Sequence, residues 1–535
     1  MLTWEIWFAL VPGLILFLYG IEQFSREIQR VAGERFRSYL AKLTKTPVRG
    51  AFLGALTTAI IQSSTATTVI AVGLVNAGTL SFAQSLGIMF GANVGTTITA
   101  QLVAFKLTGF APFFILLGFV LSIVGGRYRF LGRPIFYFGL VFFSLSLVSD
   151  AIEPVRTDPD MVALFSQFSD IFIALAAGIL FTILVQSSSV TTGIVVLLAG
   201  SGLLTLGQSI PIILGANVGT TATSLLAASR MDLYAKRAAT AHFLFNVGGV
   251  LIFLPFLSPF AGLVAGLGGT VAQEVANAHL IFNLTAAIIF LAVLEPFKRL
   301  VERVVPGEEK EIVFHTKYLG ERVPRNNIKA LGLIEKELHH LFDVTQGLFD
   351  ESLGVIKSAD EQKANRVAKL EALNDFLDDR IEKALFALSA RRLDEKEAER
   401  VVLLVRISNA VEQLGDKGRS LGYLAVDVGK TGLYLSPESI VELGGVYEKF
   451  RGNVGLVGES LPRVSPKNVS VMRKNDIALR ELTNKSYQKH MKRMASEKAY
   501  AGSAFVEALS ILEAANAKVR EVRKLSETYR KLGKD

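Results

Sequence analysis

The pattern of apolar positions changes once along the chain. Before about residue 300 it consists of long, predominantly apolar runs at 4–24, 83–104, 108–126, 134–149, 203–228, 238–257 and 275–297. Several have the ~20 residues that a membrane-crossing helix needs. From residue 325 the chain is charged, and its apolar residues recur at helical spacing. Leu338, Leu341, Phe342, Leu348 and Phe349 form one stripe. Leu370, Leu373, Leu377, Ile381, Leu385 and Leu388 form a second, and Leu404, Ile407, Val411, Leu414 and Leu421 a third. Phe505, Leu509, Leu512, Val519 and Val522 mark the last helix. Ser436-Pro437 and Ser465-Pro466 read as helix starts, an N-cap followed by proline at the first helical position. The pattern predicts an all-α chain: a membrane domain over 1–303, a linker over 304–324 around Pro306-Gly307, and six antiparallel helices in two groups of three over 325–535.

Two apolar segments, 50–77 and 170–199, are interrupted by hydroxyl and amide groups. The first holds Gln62-Ser63-Ser64-Thr65-Ala66-Thr67-Thr68 and the second Gln186-Ser187-Ser188-Ser189-Val190-Thr191-Thr192. Each is followed by a second motif, Gly91-Ala92-Asn93-Val94-Gly95-Thr96-Thr97 and Gly215-Ala216-Asn217-Val218-Gly219-Thr220-Thr221. One offset relates all of these, 186 − 62 = 215 − 91 = 124 residues, and it also maps Gly54 on Gly178 and Gln84-Ser85 on Gln208-Ser209. Such a register is an internal duplication. Gly13-Leu14 with Phe17 resembles Gly139-Leu140 with Phe143, which extends the repeats to about 10–126 and 134–257, with 275–297 as an extra helix.

Each interrupted segment is either one crossing or a re-entrant hairpin broken at its Gln-Ser-Ser. The limb from Val48 to Ile61 would be about 21 Å long at ~1.5 Å per residue, short of a ~30 Å hydrocarbon core. Loop charge favours hairpins. With them, Arg26, Arg30, Arg35 and Arg37, then Arg127, Arg129 and Arg133, then Arg230, Lys236 and Arg237, and finally Lys298, Arg299 and Arg303 all fall on the cytoplasmic side. The acidic loop with Asp150, Glu153, Asp158 and Asp160 and the N-terminus, with Trp4 and Trp7 as interfacial anchors, fall outside. Three crossings plus a hairpin per repeat give the repeats opposite orientation, the plan of an inverted-repeat transporter with its site at the midplane.

Composition narrows the chemistry. There is no cysteine among the 535 residues, which excludes disulfides and thiolate chemistry. The net charge of +9 reflects basic cytoplasmic loops, since no basic stripe with interleaved aromatics points to nucleic acid. No Gly-x-Ser-x-Gly elbow accompanies the serines, so an enzyme of the serine-hydrolase type is excluded.

Polar groups inside a membrane are costly unless something binds them. Ser63, Ser64, Thr65, Ser187, Ser188 and Ser189 are the candidate oxyanion site, because a helix restarting after each break points its amides into it. Gln62, Gln186, Asn93, Asn217, Thr96, Thr97, Thr220 and Thr221 offer neutral oxygens that suit Na+. A divalent cation would want carboxylates, and the runs from Ala51 to Phe105 and from Ile171 to Ser229 contain none. Gly91, Gly95, Gly215 and Gly219 are expected to let the chain unwind around Asn93 and Asn217. His242 and His279 sit in a further echo, His-Phe-Leu-Phe-Asn and His-Leu-Ile-Phe-Asn, which fits either a proton relay or an interhelix hydrogen bond. Glu412 and Asp416 share a helix face, as a metal pair or as a solvated acidic face.

The duplicated Gln-Ser-Ser-(Ser/Thr) motifs, each followed by Gly-Ala-Asn-x-Gly-Thr-Thr, resemble the type II sodium–phosphate cotransporters of the bacterial branch. The resemblance covers roughly residues 10–300, with Thr65 in place of the commoner third serine. It implies sodium-driven transport of inorganic phosphate in the bacterial inner membrane, with Gln62–Thr65 and Gln186–Ser189 at the substrate and sodium sites. The C-terminal helices look PhoU-like, and Glu412-x-x-x-Asp416 resembles the metal motif of that domain. The last helix lacks a second acid near Glu513 to Ala517. The expectation is a multi-pass symporter that binds inorganic phosphate, Na+ and lipid, with no nucleic acid and no cofactor beyond sodium. A phosphate sensor with the bundle as output, a proton-coupled oxyanion transporter and a homo-oligomer remain open.

Overall fold

The computed structural model describes residues 4–105, 107–153, 158–307, 311–320, 322–358, 361–430, 435–496 and 502–532. The chain divides into two compact units, Met1–Glu311 and Ile312–Asp535. Among the described residues, regular structure is helical throughout.

In the first unit, α1 (Trp4–Leu43), α2 (Pro47–Ile61), α3 (Ser64–Asn76), α4 (Phe82–Ala104), α5 (Ala111–Val124) and α6 (Arg129–Ile152) form the first half. The second half has α7 (Pro159–Ser166), α8 (Ile171–Val185), α9 (Ser188–Gly200), α10 (Leu206–Ala228), α11 (Leu233–Phe253), α12 (Leu257–Ala265), α13 (Val271–Ala292) and α14 (Leu294–Val304). Six helical segments are long and apolar enough to cross a membrane: 82–104, 107–124, 126–152, 206–228, 233–265 and 271–292. Their outward residues are apolar, as on α5, where Phe113, Leu116, Phe119 and Ile123 are exposed. That is the surface a lipid solvent requires, because backbone groups are satisfied inside each helix.

Three expectations are corrected. The first helix does not end with its apolar run at residue 24, because α1 continues through the basic segment to Leu43. The last run does not stay one helix to 297: α13 stops at Ala292, and the separate α14 carries Lys298, Arg299 and Arg303. The glycines around Asn93 and Asn217 do not unwind the chain, since α4 and α10 run unbroken. They serve close packing instead. A Cβ on Gly91 would lie 1.8 Å from the carbonyl oxygen of Ala51, and one on Gly215 2.1 Å from that of Leu175. These positions repeat at the 124-residue offset, so α2 packs on α4 as α8 packs on α10, backbone against backbone. Without a hydrophobic driving force between helices in lipid, such contact is what holds them. The corresponding α1 and α6 also pack together, antiparallel: Gly13 meets Val148 and Gly20 meets Val141. The side chains of Trp4 and Trp7 lie outside the described residues.

The second unit contains α15 (Asn327–Ser358), α16 (Glu361–Ser389), α17 (Glu395–Lys430), α18 (Pro437–Gly458), α19 (Pro466–Ser496) and α20 (Gly502–Leu532). Helices α15–α17 pack on one another, as do α18–α20, and α17 also packs on α20. Every residue of the four stripes is in the shared core. Ser436 caps α18 by accepting from the Ser439 amide, and Ser465 accepts from the Asn468 amide at the start of α19. The incoming segment is pinned by one buried carboxylate. Glu337 is 0% exposed, and it accepts from the amides of Lys317 (3.1 Å), Tyr318 (2.7 Å) and Leu319 (2.9 Å). His340 Nδ1 lies 2.8 Å away.

Burial pushes the Glu337 carboxyl up, but the bonds from His340 and the three amides outweigh it and hold it below the ordinary carboxylate range. A depressed folded pKa means stability that is present above the unfolded pKa and lost as pH falls through the folded one. The full chain in detergent should therefore lose protection of the Tyr318 and Leu319 amides in hydrogen exchange as pH drops below about 4.5. Glu337→Gln should weaken that protection by about 1–3 kcal/mol at neutral pH, with a flatter acid response. Equal protection in both proteins at pH 7 would refute the role given to the carboxylate.

Candidate functional site

The site begins with two helix ends in an unusual backbone state. Gln62, after α2, has φ 57° and ψ 31°, and Gln186, after α8, has φ 58° and ψ 25°. Among the described residues they are the only non-glycine positions with positive φ. The left-handed region costs an L-residue about 1–2 kcal/mol, so the surroundings must hold it. Each glutamine amide closes the preceding helix on a threonine carbonyl, Gln62 on Thr58 and Gln186 on Thr182, at 2.7 Å. Ser63 and Ser187 are then extended, and they N-cap α3 and α9 by accepting from the amides of Ala66 (3.1 Å) and Val190 (3.4 Å). The two limbs are tied across each break by buried hydroxyl pairs, Thr58 to Thr67 at 2.9 Å and Thr182 to Thr191 at 2.7 Å. All of these positions repeat at the 124-residue offset.

Helix geometry leaves the first amides of α3 and α9, those of Ser64, Thr65, Ser188 and Ser189, without intrahelical acceptors. They form the positive ends of two helix dipoles. Thr99 of α4 brings the two motifs together. Its hydroxyl donates to Gln62 Oε1 at 2.6 Å and lies 3.4 Å from the Ser189 hydroxyl. A cavity of about 590 Å³ is lined by Gln62, Ser63, Ser64 and Thr65 from the first motif and by Gln186, Ser187, Ser188 and Ser189 from the second. All six candidate oxyanion residues and both glutamines therefore share one space. It carries neutral donors, and an anion the size of phosphate fits its volume.

Sequence reasoning missed two contributors. Thr99 had a visible signal, because Thr223 repeats it at the same offset, two residues beyond the motif. The other is one face of α1: Leu18, Ile21, Glu22, Ser25, Arg26 and Gln29 also line the cavity. Their helical spacing is regular, but Arg26 read as a loop charge.

Asn93, Asn217, Thr96, Thr97, Thr220 and Thr221 do not line this cavity. Asn93 donates to Asn246 Oδ1 at 2.6 Å, His242 Nε2 sits 3.3 Å from Asn93 Oδ1, and Asn246 donates to the His242 carbonyl at 2.9 Å. The second copy matches: Asn217 donates to Asn283 at 2.9 Å, His279 Nε2 lies 3.3 Å from Asn217 Oδ1, and Asn283 donates to the His279 carbonyl at 2.8 Å. These buried clamps tie α4 to α11 and α10 to α13. His242 Nδ1 also pairs with Ser224 at 3.1 Å, whereas His279 Nδ1 is buried without a partner. Ala100 stands where the duplication would put the matching serine. The four threonine hydroxyls donate to carbonyls of their own helices, those of Ala92, Val94, Ala216 and Val218, so each keeps a lone pair. The hydroxyls of Thr68 and Thr192, again equivalent, are buried with no partner.

In the second unit, Asp416 pairs with Arg419 at 2.9 Å. Burial, then the neighbouring carboxylates of Asp416, Asp378 and Asp375, push the Glu412 carboxyl up. Among the described residues no group of three or more potential metal ligands is found.

The chain matches the family described as Na+/Pi-cotransporter over residues 16–150 and 160–269, and the PhoU domain over 338–424. It is 33% identical over 266 residues to "Uncharacterized protein YqeW" of Bacillus subtilis (strain 168), covering 49% of this chain and 86% of the relative. It is 24% identical over 452 residues to "Putative inorganic phosphate export protein YjbB" of Escherichia coli (strain K12), covering 84% of this chain and 83% of the relative. It is 38% identical over 136 residues to "Sodium-dependent phosphate transport protein 2B" of Homo sapiens, covering 23% and 20% of the two chains. No solved structure matches the chain.

If Thr99 holds the two motifs together, Thr99→Val leaves a buried glutamine oxygen unpaired and should cost about 1–3 kcal/mol of stability. Thermal unfolding in detergent reads this, with Thr99→Ser expected near wild type. A valine variant as stable as wild type would remove Thr99 from the site.

Proposed function

The chain belongs to the Na+/Pi-cotransporter family and carries a PhoU domain, and from that footing we propose that it is a sodium-coupled symporter of inorganic phosphate. One observation carries the proposal. Two broken helices from duplicated segments bring uncapped N-terminal amides and the residues Ser64, Thr65, Ser188 and Ser189, with the capping Ser63 and Ser187, to one cavity, and neither motif contains a carboxylate. In this reading Ser63, Ser64, Thr65, Ser187, Ser188 and Ser189 hold phosphate. The carboxamide oxygens of Gln62 and Gln186 and the backbone carbonyls at the ends of α2 and α8 are hard neutral ligands for Na+. The remaining lone pairs of Thr96, Thr97, Thr220 and Thr221 offer further sodium ligands, and Asn93 and Asn217 hold those helices in register. Bound Na+ adds positive charge beside the oxyanion, which couples the two ions energetically.

Phosphate uptake into proteoliposomes tests the function. An inward Na+ gradient should accelerate uptake over an equal choline gradient, and reversing the gradient should drive efflux, since a secondary transporter runs with its gradients. Uptake indifferent to Na+ would sink the coupling. Phosphate binding with no flux would favour a membrane-anchored sensor.

The proposed topology has α2–α3 and α8–α9 as re-entrant hairpins, the N-terminus outside, the first unit in the inner membrane of a bacterium, and the PhoU domain in its cytoplasm. Helices α2 and α3 have 15 and 13 residues, each too short for a ~30 Å core at ~1.5 Å per residue. The absence of native cysteine makes labelling unambiguous. A cysteine in place of Asp158 should react with an impermeant maleimide from outside the cell, and reaction from the cytoplasmic side alone would overturn this orientation.

A further inference from the structure

The cavity is neutral except at one place. Among its lining residues, Arg26 carries the one positive charge and Glu22 the one negative charge, one turn apart on α1. They are paired, Arg26 Nη2 to Glu22 Oε1 at 2.5 Å. The pair is well solvated, with side chains 64% and 56% exposed, so it sits at the mouth of the cavity and not inside it. The same helical face continues with Ser25 and Gln29, which bond to each other at 3.0 Å. The other charges nearby are committed elsewhere: Glu27 is buried and holds Arg30 at 3.0 Å and Arg133 of α6 at 3.5 Å. Arg26 is thus the guanidinium that α1 presents to the two motifs.

The charge of the cargo makes this placement consequential. Two helix N-termini supply about half a positive charge each, and hydroxyls supply none. Phosphate near neutral pH carries between one and two negative charges, by analogy with the roughly −1.5 to −2 of a phosphoryl group. The cradle alone leaves part of that charge unbalanced, and one guanidinium balances it in a planar, two-toothed geometry suited to phosphate oxygens. An exposed ion pair is weak, so exchanging Glu22 for a phosphate oxygen costs little. With the cavity empty, Glu22 neutralises Arg26 and limits capture of other anions.

We propose that Arg26 is a substrate-binding residue that captures the phosphate oxyanion at the cavity mouth, and that Glu22 is the counter-ion it exchanges for the substrate. The inference rests on the phosphate-transport reading of the same site. Radiolabelled phosphate uptake by the full chain in proteoliposomes tests it, measured against phosphate at saturating Na+ and against Na+ at saturating phosphate. Arg26→Gln should raise the KM for phosphate roughly tenfold or more, the loss expected for a charge-assisted hydrogen bond. Its Na+ midpoint should stay within about twofold, since no sodium ligand is removed. Arg26→Lys should fall between the two, keeping charge without the fork. Glu22→Gln should lower the KM for phosphate. A phosphate KM unchanged in Arg26→Gln, or Na+ and phosphate midpoints moving together, would overturn the proposal. So would Glu22→Gln behaving like Arg26→Gln, which would make the pair structural. Wild-type protein that moves no phosphate would overturn the transport reading along with it, whereas wild-type uptake with a normal Arg26→Gln overturns this inference alone.

Discussion

Everything in the membrane unit depends on the cost of breaking a helix where no water is at hand. Stopping α2 at Ile61 and restarting α3 at Ser64 frees backbone groups that lipid cannot satisfy. The chain meets this with local devices: a left-handed glutamine that closes the first limb, an extended serine that caps the second, and a threonine pair that ties the limbs. What these devices leave open is what faces the cavity. The open polar groups are therefore the remainder of an incomplete set of hydrogen bonds, and the duplication supplies them twice.

A break held this way needs rigid neighbours. Helices α4 and α10 provide them because glycine allows α2 and α8 to lie directly on their backbones. The asparagine–histidine clamps then fix α4 to α11 and α10 to α13 with bonds that are fully buried. Lone polar groups in hydrocarbon are expensive, but clamps that satisfy one another specify a unique arrangement. The departures from symmetry are informative. Ser224 completes the first clamp and Ala100 leaves the second short of one partner, so the two halves are equivalent in fold and unequal in polarity.

The second unit follows the rules of a soluble protein. Its apolar stripes bury one another, two of its helices begin at serine caps, and the buried Glu337 is compensated by three amides and a histidine. On the acidic face around Glu412, Arg419 pairs with Glu371 and Asp416.

Much was determined by the sequence itself. Helix against lipid or against helix is a one-dimensional property, so the six C-terminal helices and their core stripes were legible from periodicity. The 124-residue register marked both motifs, because polar residues repeated at one offset inside apolar runs do not arise by chance. Tertiary structure decided the rest, where the answer depended on distance between segments far apart in the chain. Whether Gly91 and Gly215 loosen a helix or admit a neighbour was settled by carbonyls at 1.8 and 2.1 Å, not by glycine's own freedom. Asn93 and Asn217 stood out in sequence as neutral amides, but only packing gave them hydrogen-bond partners on other helices, 153 and 66 residues away in sequence. Arg26 read as part of a basic loop, and Glu22 as the end of the first apolar run, until α1 proved continuous and laid one face along both motifs. Local pattern encodes which groups are polar, whereas convergence of groups on one cavity is a product of packing.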